Sequence, residues 1–576
     1  MTETMAQEHD DPLYRALLSS FAAAGGTVSP SVSLTQLPSQ GRCCVAREDI
    51  PEDHDLFVIP RMYLLNISNS LLPSLCKALD SQRSEKSTRG EADMSIDSIH
   101  PAVGDDDSSS KQSPDNWQDL SGWSPLILCM MWETWRTRDN DTAAAAVSIA
   151  KNLRLDDQLG DRDWKSYLDI MPTDFSSMPM FWPQQDLDML KGTDVLGRIG
   201  KAEAEAEYRD NVRPFIASHA AVFLGPAAKD LPEQELQKLM DEHYGLEQFH
   251  VQGSRILSRS FHVKKGHADE GTVVGADGDV QDDEESDEED DDEDEEREDT
   301  ADISMVPFAD LLNASYASEN AKLFYSSTAL IMRSTRPIKK GEQIMNTYGD
   351  PPNADLLRRY GYVDEWNAGD EVELDAAHLA QTAASSSSSS SGAQLTERVS
   401  YLVSQGLEES FVLTYPFPPS DQKPYRPQPE SPSDEEVKNV IGEALDEELL
   451  STCRALLMGE EEFEAKYRAK EKVPKPKLDE EIAHFLIKTI EARLGRYEGG
   501  PSSKEDEEIL YGAQPKNLGT NARSAIVVRL GEKRVLEANA SLLRRMVEVK
   551  KKQSAAGGGD KKRKDESGKG KANGGA

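Results

Sequence analysis

Three tyrosines, Tyr348, Tyr360 and Tyr362, fall within fifteen positions of the stretch Ile338–Asp364, "IKKGEQIMNTYGDPPNADLLRRYGYVD". Phenols this dense form either an aromatic mini-core or the wall of a site that orients a polar substrate, and these residues alone leave both readings open. Two further polar motifs close apolar segments. In "SRSF", Ser258–Phe261, Arg259 ends a helical pattern, and in "VPFADLLNASYASEN", Val306–Asn320, Asp310 and Asn313 punctuate an otherwise apolar run. Taken singly, each has a structural explanation. Asp310 suits a helix cap, Asn313 a turn or cap, and Arg259 a salt bridge at a surface or between domains.

The elements that must position these residues are of two kinds. Cys43–Ala46 and Leu56–Ile59 read as strands flanking a turn at Asp49-Ile50-Pro51. After Ile303, "KLFYSS", "ALIMRSTRPI" and "EQIMNTY" restore the strand pattern, and "NADLLRRYGY" reads as a short helix. Between Trp117 and His262, "PLILCMMWETWR" and "QELQKLMDEHYGLEQFHVQGSRILSRSF" space apolar residues at helical intervals. A β-rich block is therefore split by a helical insertion, about residues 70–255. Beyond seven consecutive serines, Ser385–Ser391, the segments "QLTERVSYLVSQGL", "LDEEIAHFLIKTIEARL" and "SAIVVRLGEKRVLEANASLLRRMVEV" keep i, i+3, i+4 periodicity. They predict a separate all-helical domain that binds or scaffolds.

At 576 residues the chain exceeds what one core serves, so two domains plus tails are expected. It has no apolar run of eighteen residues, and "MTETMAQEHDDP" lacks a basic region followed by a hydrophobic one. Neither a membrane span nor a secretory signal is expected. The five cysteines, Cys43, Cys44, Cys76, Cys129 and Cys453, form no CxxC pair. That argues against a zinc site and against a disulfide framework, and for a reducing, intracellular compartment. The formal charge is −40, and Asp282–Asp299, with sixteen acids and one arginine, carries −15 of it. Such a run is expected to stay solvated and disordered. The tail after Lys550 is basic, and its "KKRK" reads as a nuclear-import signal, a nucleic-acid patch or plain solvated tail.

Six phrases in one order resemble a known family: "GRCCVAREDIPEDHDLFVIPR", "SGWSPLILCMMWE", "WKSYLDIMPTDFSSMPMFWPQQDLDMLKGT", "SRSF", "MVPFADLLNA" and "GEQIMNTYG" with "NADLLRRYGYV". The chain is similar to SET-domain protein-lysine N-methyltransferases, of the branch with a split SET domain and a C-terminal Rubisco-methyltransferase-like substrate-binding domain. Within that branch it looks like the ribosomal-protein lysine methyltransferases. Any one phrase is weak, and the six in family order are specific. The implied fold is α+β. It is a β-rich SET domain with a pseudoknot over 27–366, holding the helical insertion (about 70–255) and the disordered acidic insertion (about 264–300). A Ser-rich linker (367–393), a helical substrate-binding domain (394–550) and a basic disordered tail (551–576) follow.

The resemblance implies S-adenosylmethionine as methyl donor, a protein lysine as acceptor and no metal. Gly41, Arg42 and Cys43 match the turn whose backbone meets the donor's amino-acid end, although the family often has a second glycine at the Cys43 position. Arg259, Asp310, Asn313 and Ala314 match donor-pocket positions. Many members carry Asn-His where this chain has Asn313-Ala314, and the contact implied there is through the backbone, which alanine retains. Trp123, Ser260, Phe261, His262 and Tyr360 match substrate-side positions, Tyr362 is expected to pack, and Tyr348 matches the catalytic tyrosine. Methyl transfer is an in-line displacement that needs a neutral amine held about 3 Å from the methyl and aligned with it. A phenol oxygen orients the amine and makes CH···O contacts. No strong base is needed at that step, so the absence of an obvious His/Asp pair is no objection.

The expected partner is a basic protein, a ribosomal protein of the large (60S) subunit, with no direct nucleic-acid binding, no membrane and a monomeric state. The expected location is the nucleus, with cytoplasm as an addition. Two other readings stay open. One is an idle SET module with the acidic run acting as a chaperone-like sink for basic proteins, and the other is a methyltransferase for a non-ribosomal nuclear protein.

Overall fold

Short strands form where β-branched and aromatic residues alternate with polar ones. Before the insertion these are β1 (Thr27–Val28), β2 (Val32–Leu37), β3 (Gly41–Ala46) and β4 (Asp55–Pro60). After it come β5 (Ser260–His262), β6 (Ile303–Met305), β7 (Ala321–Tyr325), β8 (Ala329–Ser334) and β9 (Gln343–Ile344). The computed structural model describes residues 11–37, 41–88, 116–136, 138, 164–263, 303–315, 317–386, 391–417, 433–440, 445–513 and 517–567. The acidic run Asp282–Asp299 lies outside them. The chain divides into two compact units, 1–175 with 200–350, and 176–199 with 351–576.

In the first unit, one antiparallel sheet has the order β1-β4-β8-β7, a second has β2-β3-β9, and β5 pairs with β6. Leu56, Phe57 and Ile59 of β4 are buried in a core that includes Phe308. The helix Pro12–Ala23 precedes the residue-27 boundary expected from the strand pattern, yet it belongs to this core. Asp11 caps it by accepting from the Leu13 N–H at 2.9 Å, and Tyr14, Leu17 and Phe21 share its buried face. The Phe21 ring lies 4.3 Å from that of Phe308 and the Phe57 ring 5.6 Å from it. That packing holds Phe308 at φ +72°, a backbone state costing a non-glycine about 1–3 kcal/mol.

The helical insertion is present, with Ser124–Arg136 burying residues Leu126 to Trp132 and Leu246–Arg259 closing it. The segment 176–199 within it nevertheless belongs to the second unit. Trp182, Leu190 and Val195 pack there with Ala354, Leu357, Ala525 and Val528. The same cluster draws residues 351–366 out of the expected 27–366 domain and into the second unit.

Among the described residues, the second unit is helical apart from a ribbon of β10 (Glu371–Asp375) and β11 (Ser410–Thr414). Val372, Leu374 and Leu379 of the expected linker 367–393 are buried core residues, in β10 and the helix Ala376–Ser386. The serine run starts inside that helix, and Ser391 caps the next one, Gly392–Ser404, in a capping box with Gln394. The last helix, Thr520–Ser567, continues past Lys550, where a disordered tail was expected. A helix already nucleated on buried Leu542, Leu543 and Met546 extends at little cost.

Candidate active site

The stretch 343–348 is pinned on two sides. Ile344 and Gln343 of β9 pair with Cys44 and Val45 of β3. On the other side Met345 bridges Asn313 in parallel, and the Asn346 N–H donates to the Asn313 carbonyl at 2.9 Å. Asn320, fully buried, fixes the crossing. Its side-chain oxygen accepts from the Met345 N–H at 2.8 Å and its amide donates to the Gln343 carbonyl at 2.9 Å. The Asn313 amide donates to Gln343 Oε1 at 2.7 Å, and the Tyr348 phenol donates to the Leu312 carbonyl at 3.2 Å. Two motifs thirty-five positions apart in sequence thereby meet, and the Asn313 carbonyl and amide are both used in joining them.

One turn earlier, Ala309–Leu311 forms a 3-10 turn that buries Asp310. Arg259, at the end of its helix, donates from Nη1 to the Asp310 backbone carbonyl. The Asp310 carboxylate accepts from the Tyr167 phenol at 2.8 Å. Burial pushes Asp310 up to about 6, held back by the Arg259 charge and the Tyr167 hydrogen bond. Burial and the neighbouring carboxylate push Tyr167 well above the usual phenol range.

Two buried atoms here have no hydrogen-bond partner among the described residues, Arg259 Nε and Asp310 Oδ1. Each buried polar atom left unpaired costs about 1–3 kcal/mol. An anionic acceptor facing Nε and a cationic donor facing Oδ1 would recover that energy, so the residues fit a zwitterionic, amino-acid-like group.

Gly41, Arg42 and Cys43 lie in β3 rather than in a turn, opposite Leu37, Gln36 and Thr35 of β2. Gly41 has φ +71°, which favours glycine, and open space where a Cβ would sit. The Arg42 side chain is engaged structurally, donating to the Ile170 carbonyl at 2.9 Å. Cys43 is buried, and burial pushes its thiol up to about 11, so it is no nucleophile near neutrality.

On the expected substrate side, Trp123 packs against the core at the head of Ser124–Arg136. Ser260, Phe261 and His262 form β5, with Phe261 buried and His262 exposed. Ala314 is half-buried beside Asn313. Tyr360 and Tyr362 belong to the second unit. Their rings are 6.3 Å apart, and Gly361 between them, at φ +73°, leaves room for Ser177.

Sequence reasoning singled out neither Tyr167 nor Arg255. Arg255, one turn before Arg259, is buried and donates to the Pro172 carbonyl at 3.0 Å and to the Leu168 carbonyl at 3.4 Å. The only signal was the phrase "WKSYLDIMPTDF", which carries Tyr167 among several aromatics. Among the described residues no group of His, Cys, Asp or Glu is placed to hold a metal ion, and no helix is long and apolar enough to cross a membrane.

A family model described as "SET domain" matches residues 41–349, and one described as "Rubisco LSMT substrate-binding" matches 390–536. "Ribosomal lysine N-methyltransferase 4" of Saccharomyces cerevisiae is 29% identical over 342 residues, which cover 59% of this chain and 53% of that protein. "N-lysine methyltransferase setd6" of Salmo salar is 26% identical, covering 59% and 55%. The matches thus span about half the length of these two relatives. "N-lysine methyltransferase SETD6" of Rattus norvegicus is 25% identical over 536 residues, 89% of this chain and 86% of that one. The crystal structure of the SET domain of LSMT bound to MeLysine and AdoHcy shares the fold, with a TM-score of 0.50, 15% identity and 93% coverage of both chains. The SET model covers more than half of the 576 residues, from the Gly41 that opens β3 to the Gly349 that follows Tyr348, and the chain belongs to the SET-domain family.

Proposed function

We propose that this chain is an S-adenosylmethionine-dependent protein-lysine N-methyltransferase. The observation that carries the reading is the crossing of 343–348 with 312–321, which sets the Tyr348 phenol beside the Leu312 carbonyl, one residue from Asn313. The donor, when bound, supplies a methyl group activated on a sulfonium. The chain's residues do the rest. Arg259 Nε and Asp310 Oδ1 hold the amino-acid end, and Gly41 gives close backbone access at the head of β3. The backbone of Asn313 and Ala314 frames the pocket. Tyr348 orients the incoming amine, and its oxygen accepts CH···O contacts from the methyl. Trp123, Ser260, Phe261 and His262 serve the substrate side.

For the acceptor we propose a basic protein of the large ribosomal subunit. Its support is the −40 charge of the chain, which favours cationic partners, and the name of the yeast relative. The long match is to a protein named only as an N-lysine methyltransferase, which leaves a non-ribosomal protein as the second acceptor class. The test is transfer of label from the donor to a large-subunit protein fraction and to non-ribosomal protein fractions by the full chain, by Tyr348→Phe and by Asn313→Ala. Wild-type labelling lost in both variants supports the site. Equal labelling by all three refutes it, and labelling only of non-ribosomal fractions moves the acceptor to the second class. A nuclear location is proposed from "KKRK", Lys561–Lys564. A fluorescent fusion with these four replaced by alanine then spreads to the cytoplasm, and unchanged accumulation rejects the proposal.

A further inference from the structure

Asp310 is held from two sides by two helices. The helix Leu246–Arg259 supplies Arg259, which donates to the Asp310 carbonyl, and the short helix Lys165–Ile170 supplies Tyr167, which donates to its carboxylate at 2.8 Å. These helices are tied to each other. Arg255 takes the carbonyls of Leu168 and Pro172, and Arg42 of β3 takes that of Ile170, so two cations cap the end of the helix bearing Tyr167. Tyr167 is fully buried and 143 positions from Asp310 in sequence. A phenol there for packing alone would not need its oxygen on a carboxylate.

We infer that Tyr167 is a positioning residue of the donor site: anchored by Arg255, its phenol keeps the Asp310 carboxylate in place and ionised beside Arg259, which leaves Arg259 Nε available to the donor's carboxylate. This rests on the proposed function. The groups facing Asp310 are Tyr167, Arg259 and, from β3, Cys44, whose thiol burial pushes far up, so Arg259 is the cation that Asp310 balances. Because the Tyr167 hydrogen bond pulls Asp310 down toward 6, removing it sends Asp310 toward neutrality.

The experiment is calorimetric binding of S-adenosylhomocysteine to the full chain between pH 5 and 8.5, with thermal melts alongside. Wild type is expected to lose affinity below a midpoint near 6. In Tyr167→Phe the midpoint moves up by about 0.5–1 unit, while affinity at pH 8.5 stays within about twofold. Arg255→Gln, which frees the short helix without touching Asp310, moves it the same way and covers the case in which Tyr167→Phe does not fold. Asp310→Asn has no acid limb. A lowered melting temperature with an unmoved midpoint in both Tyr167→Phe and Arg255→Gln shows a merely structural role and overturns the inference. Wild type that binds no S-adenosylhomocysteine at any pH overturns the parent function, and this inference with it.

Discussion

Asp506, in the second unit, is gripped by two cations. It takes Arg529 Nε at 2.9 Å and Lys533 Nζ at 2.7 Å on one oxygen and Arg529 Nη2 on the other, and all three side chains are almost wholly buried. Asp310, in the first unit, is also buried but has one cation beside it, which spends its bond on a backbone carbonyl. One oxygen of Asp310 and one nitrogen of Arg259 stay unpartnered among the described residues. A cluster whose hydrogen-bonding capacity is filled from within is part of the fold. A cluster with capacity left over has room for a further hydrogen-bonding partner, and its incomplete pairing is tolerated because the surrounding packing supports it. Phe308, strained two residues before Asp310, is another sign of that support.

The contrast is tested most severely by Asp506→Ala. It leaves Arg529 and Lys533 as buried uncompensated cations, and a loss of about 3–5 kcal/mol is expected in denaturant unfolding. A loss below about 1 kcal/mol would break the comparison at its closed end. Next in size, Tyr348→Phe is expected to lower kcat about 100-fold, or about 2.7 kcal/mol, with the melting temperature nearly unchanged. An equal fall in stability would make Tyr348 a fold residue like Asp506.

Third, Asp310→Asn is expected to do to stability the opposite of Asp506→Ala. The carboxyl titrates near 3.8 when unfolded and about 6 when folded. Its folded form therefore holds a proton that the unfolded chain has lost between those values. Wild-type stability contributed by this group is fully present below about 4 and is lost as pH rises through 6, a change on the order of 2–3 kcal/mol. The asparagine variant lacks that slope, so at pH 7.5 it is the more stable protein while binding the donor more weakly. Urea unfolding of both proteins at pH 4.5 and 7.5 decides it. Parallel curves remove Asp310 from the argument. The smallest effect is expected for deletion of Asp282–Asp299, a run of sixteen acids with a single arginine among them. Apparent KM for a basic protein substrate should rise about two- to threefold at low salt and not at all at high salt. A rise that ignores salt rules out steering.

The crossing of 343–348 with 312–321 joins two stretches whose motif residues were legible in the sequence; there Tyr348 donates to the Leu312 carbonyl and Met345 bridges Asn313. Tyr167 was not legible. It sits in a six-residue helix too short for periodicity to mark, and its partner is 143 positions away. The linker expectation failed for a local reason. The weight of Ser385–Ser391 spread upstream over "EVELDAAHLAQTAA", where alternation at Val372 and Leu374 gives way to a helical face with Leu379. Nothing in 176–199 taken alone assigns it to a core built chiefly from residues beyond 350, because that fact lies in long-range packing.

That interleaving sets a timetable. The Asp194 N–H donates to Glu532 Oε1 and Arg493 Nη2 to Asp194 Oδ1, pairs separated by 338 and 299 positions. At about 5–20 residues per second of synthesis, the segment 176–199 emerges tens of seconds before the helices that will cover it. Throughout that interval Trp182, Leu190 and Val195, all buried in the finished protein, are apolar side chains without their core. A premature stop anywhere before the last helix therefore does more than remove the end of the chain. It leaves Trp182, Leu190 and Val195 without Ala525 and Val528, the partners from the last helix that complete their core.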